Sequence, residues 1–148
     1  LQASLTGHLV LSTLHTNDAP SAVARLIDLG AEPFLVGASL SAVLAQRLVR
    51  TLHAPCAGAG CAGCLGSSFK GRTGVYELLE VSEALRELVS RNAPTAELRR
   101  AARSAGMRTL AEEGERLVAQ GRTTRAEVER VIQAEAEPEQ ATIAGVSP

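Results

Sequence analysis

Residues 6–18 read TGHLVLSTLHTND, an apolar centre of Leu9, Val10 and Leu11 between polar ends that carry His8 and His15. An unbroken apolar run bounded by turn-forming residues predicts a strand over residues 8–14, covered on both faces. Asp18-Ala-Pro-Ser follows with the pattern of a helix start. The aspartate is a good N-cap, and Pro20 falls in the first turn, where a missing N–H does no harm. Val23, Leu26 and Ile27 recur at helical spacing, and Gly30 suits the position just past a helix end. A second helix is predicted over residues 34–49, rich in Leu, Val and Ala. A strand followed by packed helices predicts an α/β layer.

Side chains alternate along a strand, so His8 and His15 point to opposite faces, roughly 23 Å apart at about 3.3 Å per residue. They cannot share a metal ion without a sharp bend. Thr13 and His15 share one face at the carboxyl end of the strand, where open α/β sheets place their ligands. A hydroxyl and an imidazole there suit a phosphate or its attacking water. Polar groups at strand ends also serve simply to start the strand and cap the next helix. The residues alone leave both roles open.

Working outward, the texture changes between residues 50 and 74, where Gly, Ala, Cys and Ser dominate and periodicity ends, the mark of a loop. A second strand is predicted over residues 74–81. Helices are predicted over residues 84–89, from Thr95 to a stop at Gly106, and from Thr109 to a stop at Gly121. A last one follows the capping box Thr124-Arg-Ala-Glu127. Residues 135–148, rich in Glu, Pro, Gln, Ala and Ser, predict a disordered tail. No internal repeat is evident. The division is therefore 1–50, 51–73, 74–134 and 135–148.

The chain has 148 residues, enough for one ordinary domain or two small ones. Aromatic residues make up only 2%, so the core must be built from aliphatic side chains, and base-stacking nucleic-acid modules are disfavoured. A net charge of −1 gives no general attraction to nucleic acid or an anionic membrane. No run of about 18 apolar residues predicts a membrane span, and no basic segment precedes an apolar one as in a signal peptide. The chain opens at Leu1 in mid-pattern, which suggests a fragment. Its three cysteines all lie within residues 56–64, unlike a secreted disulfide framework, and suggest a cytoplasmic setting.

Those cysteines stand in HAPCAGAGCAGC, which places His53-x2-Cys56 ahead of Cys61-x2-Cys64. Three cysteines and a histidine are a normal structural zinc set, closed to catalysis because all four ligands are protein. Only four residues separate Cys56 from Cys61, and Gly58, Gly60 and Gly63 would let so tight a loop close around an ion. The competing reading is a shortened remnant that binds no metal.

The stretch LTGHLVLSTLHTNDAPSAVARLIDLG resembles the histidine box of the secretion ATPase superfamily, in the type II secretion and type IV pilus assembly branch (GspE/PulE/PilB-like). LAQRLVRTL, GRTGVYELLEV and the helical ELRRAARSAGMRTLAEEGERLVAQGRTTRAEVERV resemble the segments that follow it there, in the same order. The resemblance implies the C-terminal portion of a RecA-like P-loop ATPase core, then a cysteine loop and a small helical region. It implies an enzyme that uses ATP and Mg2+ and works as a homo-hexamer on inner-membrane secretion or pilus platform proteins, at the cytoplasmic face. His8 and His15 become nucleotide-proximal, with Thr13 a neighbouring sensor. Many members carry two C-x2-C pairs around a longer excursion, with His53 here standing where the first cysteine would be. Arg47 and Arg72 fall in matching segments and suit either an interface with a neighbouring subunit, by the bidentate geometry of arginine, or a structural role.

The chain also departs from the pattern. It has no G-x-x-x-x-G-K-[ST] loop to hold phosphates, and SSFKGRTG has the wrong spacing. The Walker B carboxylate and the aspartate box would precede Leu1. This chain alone is expected not to hydrolyse ATP. Two rival classes are a stand-alone adaptor that docks on an ATPase ring, and a zinc-stabilised helical domain unrelated to nucleotide.

Overall fold

The computed structural model describes residues 1–133. The predicted tail at 135–148 lies outside the described residues. Two long strands, β1 (Ala42–Leu52) and β2 (Phe69–Glu80), pair antiparallel, with Ala42 opposite Glu80 and Arg50 opposite Arg72. The register shifts past Arg50, so that Leu52 meets Phe69. Before the sheet come α1 (Gln2–Leu5), α2 (Ala19–Asp28) and α3 (Pro33–Ser39). After it come α4 (Glu83–Ser90), α5 (Thr95–Ser104), α6 (Leu110–Ala119) and α7 (Arg125–Gln133). The α/β class expected from sequence is the class observed.

Two expectations change. Residues 8–14 form no strand. A strand exists only as a ladder, and the two strands among the described residues pair with each other. The apolar run is left in solvent, with Leu9 90% and Leu11 87% exposed. The helix predicted over residues 34–49 is instead α3 followed by β1. Leu, Ala, Gln and Arg are strong helix formers, and Leu44 and Leu48 stand at helical spacing. Pairing with β2 overrides that propensity. Val43, Ala45 and Val49 turn inward while Leu44 and Leu48 face out. With apolar side chains on both faces, the two-residue period is hidden.

The helices cover one face of the sheet, in two clusters. Ala45, Leu79 and Val81 pack with Ala19 and Val23 of α2, Val36 of α3, Leu85 and Val89 of α4, and Leu98 and Ala102 of α5. Val49 and Val75 pack with Leu110 and Leu117 of α6 and Val128 of α7. Each buried Val or Leu contributes about 1.5–3 kcal/mol by leaving water. α6 and α7 approach so closely that a Cβ on Gly114 would collide with a Val128 methyl. Helix starts follow the sequence signals. Asp18 accepts the Ser21 N–H at 2.8 Å, and Thr109 and Glu112 form a reciprocal capping box.

Of the three buried acidic residues among the described residues, Glu77 and Glu127 are the least exposed. Glu77, on β2 between Val75 and Leu79, is 3% exposed. It accepts the Ala19 N–H at 2.8 Å and the Leu110 N–H at 3.3 Å. Both are the first residues of helices, whose N-terminal amides carry partial positive charge and lack intrahelical partners. One carboxylate thus caps α2 and α6 together. Glu127 on α7 takes the Arg50 N–H at 3.1 Å, the Arg50 guanidinium at 2.7 Å and the Arg130 guanidinium at 2.7 and 2.9 Å. The Arg130 and Arg50 hydrogen bonds hold its carboxyl far below the usual carboxylate range, against burial, which pushes it up.

Glu77→Gln should lower unfolding free energy by about 2 kcal/mol in urea titration, since an amide keeps one acceptor and turns a donor toward a second N–H. A loss below about 0.5 kcal/mol would contradict the double cap. For Glu127 the folded carboxyl is the stronger acid, so the unfolded chain takes up the proton first as pH falls. Its contribution is full above the unfolded value near about 4.3 and is lost below it. Glu127→Gln should cost about 2 kcal/mol at pH 7, with both arginine heads half in solvent, and should flatten the stability profile below about pH 5. An unchanged profile would contradict the assignment.

Candidate functional site

The loop between the strands gathers the four residues expected to bind metal. His53 follows β1 directly, and its N–H is held by the Ser68 carbonyl at 2.9 Å. Cys56 ends a short 3-10 turn (Ala54–Cys56), and Cys64 ends a second (Ala62–Cys64). Each turn is followed by a left-handed residue, Ala57 or Leu65, and then by a glycine at positive φ, Gly58 or Gly66. HAPCAG and CAGCLG are thus two copies of one knuckle, a repeat that the sequence shows once the substitution of histidine for cysteine is allowed. Left-handed geometry costs about 1–2 kcal/mol at a non-glycine residue. The chain adopts it twice at equivalent places, curling each turn back toward the same centre.

The donor atoms of His53, Cys56, Cys61 and Cys64 all lie within 4.8 Å of one another. The Cys56 and Cys61 sulfurs each stand 3.4 Å from His53 Nδ1. The Cys64 sulfur stands 3.9 Å from those of Cys56 and Cys61. In a tetrahedral zinc site with Zn–S of about 2.3 Å and Zn–N of about 2.0 Å, two sulfurs are about 3.8 Å apart and sulfur and nitrogen about 3.5 Å. Four of the six donor–donor distances therefore match the edges of such a tetrahedron, and the other two lie within 4.8 Å, even with the short spacing between the pairs. The Cys61 N–H, donating at 3.2 Å, lowers the Cys64 thiol to about 7, favouring the thiolate that a metal needs, while burial pushes the Cys61 thiol up.

This loop is rooted in the helical region. Arg50 lays its guanidinium 4.4 Å from the Phe69 ring centre while pairing with Glu127, and the Leu52 N–H donates to the Arg122 carbonyl at 2.8 Å. Thr123 donates its hydroxyl to the Arg50 carbonyl at 2.8 Å. α7 and the residues just before it thus hold the end of β1 and, through Arg50, the first residue of β2.

The histidine segment is arranged differently. His8 turns back on α1, its Nδ1 3.1 Å from the Thr6 hydroxyl and 3.3 Å from the Ala3 carbonyl. Thr13 and His15 are exposed, and with no strand under them the expected shared face has no ladder to enforce it. The turn just after His15 is fixed firmly. Arg47 donates to the Thr16 and Asn17 carbonyls at 3.3 Å. Asp18 pairs with Arg99 of α5, and Ala19 is held by Glu77. Burial pushes the Asp18 carboxyl up, but the Ser21 amide and Arg99 more than offset it and hold it low. Arg72 lies exposed on β2 opposite Arg50. Sequence reasoning missed Glu77 and Arg99, and gave Glu127 only a capping role, whereas its carboxylate is taken by Arg50 and Arg130. The available signal for Glu77 was a charge at an inward strand position, in the alternation Val75-x-Glu77-x-Leu79.

No helix among the described residues is long and apolar enough to cross a membrane. The family model described as "Type II/IV secretion system protein" matches residues 1–130. "Type II secretion system protein HxcR" of Pseudomonas aeruginosa is 51% identical over 139 residues, covering 88% of this chain and 30% of its own length. "Type IV pilus assembly ATPase PilB" of Myxococcus xanthus is 42% identical over 156 residues, covering 86% of this chain and 28% of its own. Among solved structures, the pilus retraction motor PilT with bound ADP superposes with a TM-score of 0.65 at 26% identity, over 95% of this chain and 36% of that one. The chain spans about a third or less of the length of these curated relatives. On the match along residues 1–130, the chain belongs to the type II/IV secretion system protein family.

Proposed function

We propose that this chain is the C-terminal part of an ATPase that couples ATP hydrolysis, with Mg2+, to assembly of pilin or pseudopilin filaments in type II secretion or type IV pilus biogenesis. The observation that carries the reading is the family match through the histidine box and every segment after it. In this reading the parent is a homo-hexamer on inner-membrane platform proteins, at the cytoplasmic face. His8, Thr13 and His15 lie near the nucleotide, and Arg47 and Arg72 near a subunit boundary. The exposed Leu9 and Leu11, and the outer sheet face with Leu44 at 59% and Leu78 at 45%, support further protein packing on these two surfaces. His53, Cys56, Cys61 and Cys64 would hold a structural zinc. The metal would supply a cross-link between the strand ends and no chemistry of turnover. The protein's own part is to aim four donors at one point and to anchor that loop to α7.

The 148-residue chain, lacking a phosphate-binding loop, should release no phosphate from ATP above a His15→Ala control. Turnover above that control would contradict the fragment reading. In the complete ATPase, His15→Ala should lower kcat by about tenfold or more. Protein purified without a histidine tag should carry about one zinc per chain, and Cys64→Ser should reduce this at least about threefold, since breaking one tetrahedral ligand opens the site. Metal below about a third of an equivalent, with all three thiols titrating freely, would remove zinc from the account.

A further inference from the structure

Three charged side chains from three separate elements converge on the four residues that follow His15. Arg47 of β1 binds the Thr16 and Asn17 carbonyls, Arg99 of α5 binds the Asp18 carboxylate, and Glu77 of β2 binds the Ala19 amide. Asp18 spends one oxygen on the Ser21 N–H and the other on Arg99. Four groups of this turn, the Thr16 and Asn17 carbonyls, the Asp18 carboxylate and the Ala19 amide, are thus anchored to parts of the chain 30 to 81 residues away. A turn that had only to start α2 would need the Asp18 cap alone. The additional bonds fix the direction in which the chain arrives from His15.

We propose that Arg47 and Arg99 are positioning residues for nucleotide turnover, holding the turn at residues 16–19 so that His15 presents its imidazole at one fixed place. The inference rests on the nucleotide-proximal reading of His15 given above. It makes the helical region part of the site, because Arg99 lies on α5, and Glu77 links the same turn to the first residue of α6. Displacing a reacting group by about 1 Å is enough to lower a rate about a hundredfold, so a clasp of this kind acts on kcat more than on binding.

Asp18→Asn separates the clasp from the helix cap, because Asn caps as well as Asp but gives up the ion pair with Arg99. In the complete ATPase, Asp18→Asn and Arg99→Ala should each lower kcat about tenfold, with KM for ATP moving less than about twofold, and Arg99→Lys should recover most of the loss. In a His15→Ala background Asp18→Asn should cost nothing further, because the pair acts as one unit. Additive losses, or an unchanged kcat in both single variants, would overturn the proposal. His15→Ala with parental turnover would overturn instead the reading on which it rests. The 148-residue chain gives a readout independent of turnover. Amide hydrogen exchange at residues 15–19 should quicken at least about fivefold in Asp18→Asn while residues 22–28 keep their rates. Unchanged exchange at residues 15–19 would likewise overturn the clasp.

Discussion

The buried carboxylate of Glu77 is the constraint on which the rest of the structure depends. A polar side chain inside an aliphatic core is expensive unless its oxygens are occupied. Here they meet the first amides of α2 and α6, 2.8 and 3.3 Å away. Those amides would themselves be orphans in an apolar setting. Each solves the other's problem, and the solution fixes geometry. α2 and α6 must both begin beside the same point of β2, which sets where the histidine turn ends and where the C-terminal helices begin. The two apolar clusters then fill in on either side of that point.

At the far end of the sheet a second carboxylate does the corresponding task. Glu127 joins α7 to the Arg50 backbone and guanidinium, and Arg50 stacks on Phe69 across the mouth of the cysteine loop. The loop therefore springs from strand ends that α7 already holds in register. Its two knuckles bring the donor atoms of His53, Cys56, Cys61 and Cys64 within 4.8 Å of one another. The division of labour is clear in the sequence order. Residues up to Asp28 present the histidines, the paired strands carry the charges that brace them, and the last helices lock the strands.

Much of this was legible in the sequence. The cap at Asp18, the helix starts at Thr95 and Thr109 and the stops at Gly30, Gly106 and Gly121 placed the helices, because those signals are local. The clustering of His53, Cys56, Cys61 and Cys64 was legible because the four stand close together in the chain. β1 was misread, since Leu44 and Leu48 on its outer face imitate helical spacing and the partner that makes it a strand lies some thirty residues on. Residues 8–14 carry a strand's pattern without a ladder among the described residues. The roles of Glu77, Arg99 and Glu127 were hidden for the same reason. A charge reads as surface until the chain contacts that bury or pair it are known.

The central claim is that this chain completes a nucleotide-driven assembly motor. The most direct test is to read the coding sequence immediately before the codon for Leu1. The account predicts an open frame that runs upstream through an acidic strand and a G-x-x-x-x-G-K-[ST] loop, the parts that would hold Mg2+ and phosphates against His8 and His15. A start codon and ribosome site directly before Leu1 would contradict it, and would leave a short protein that docks on such a motor without being one.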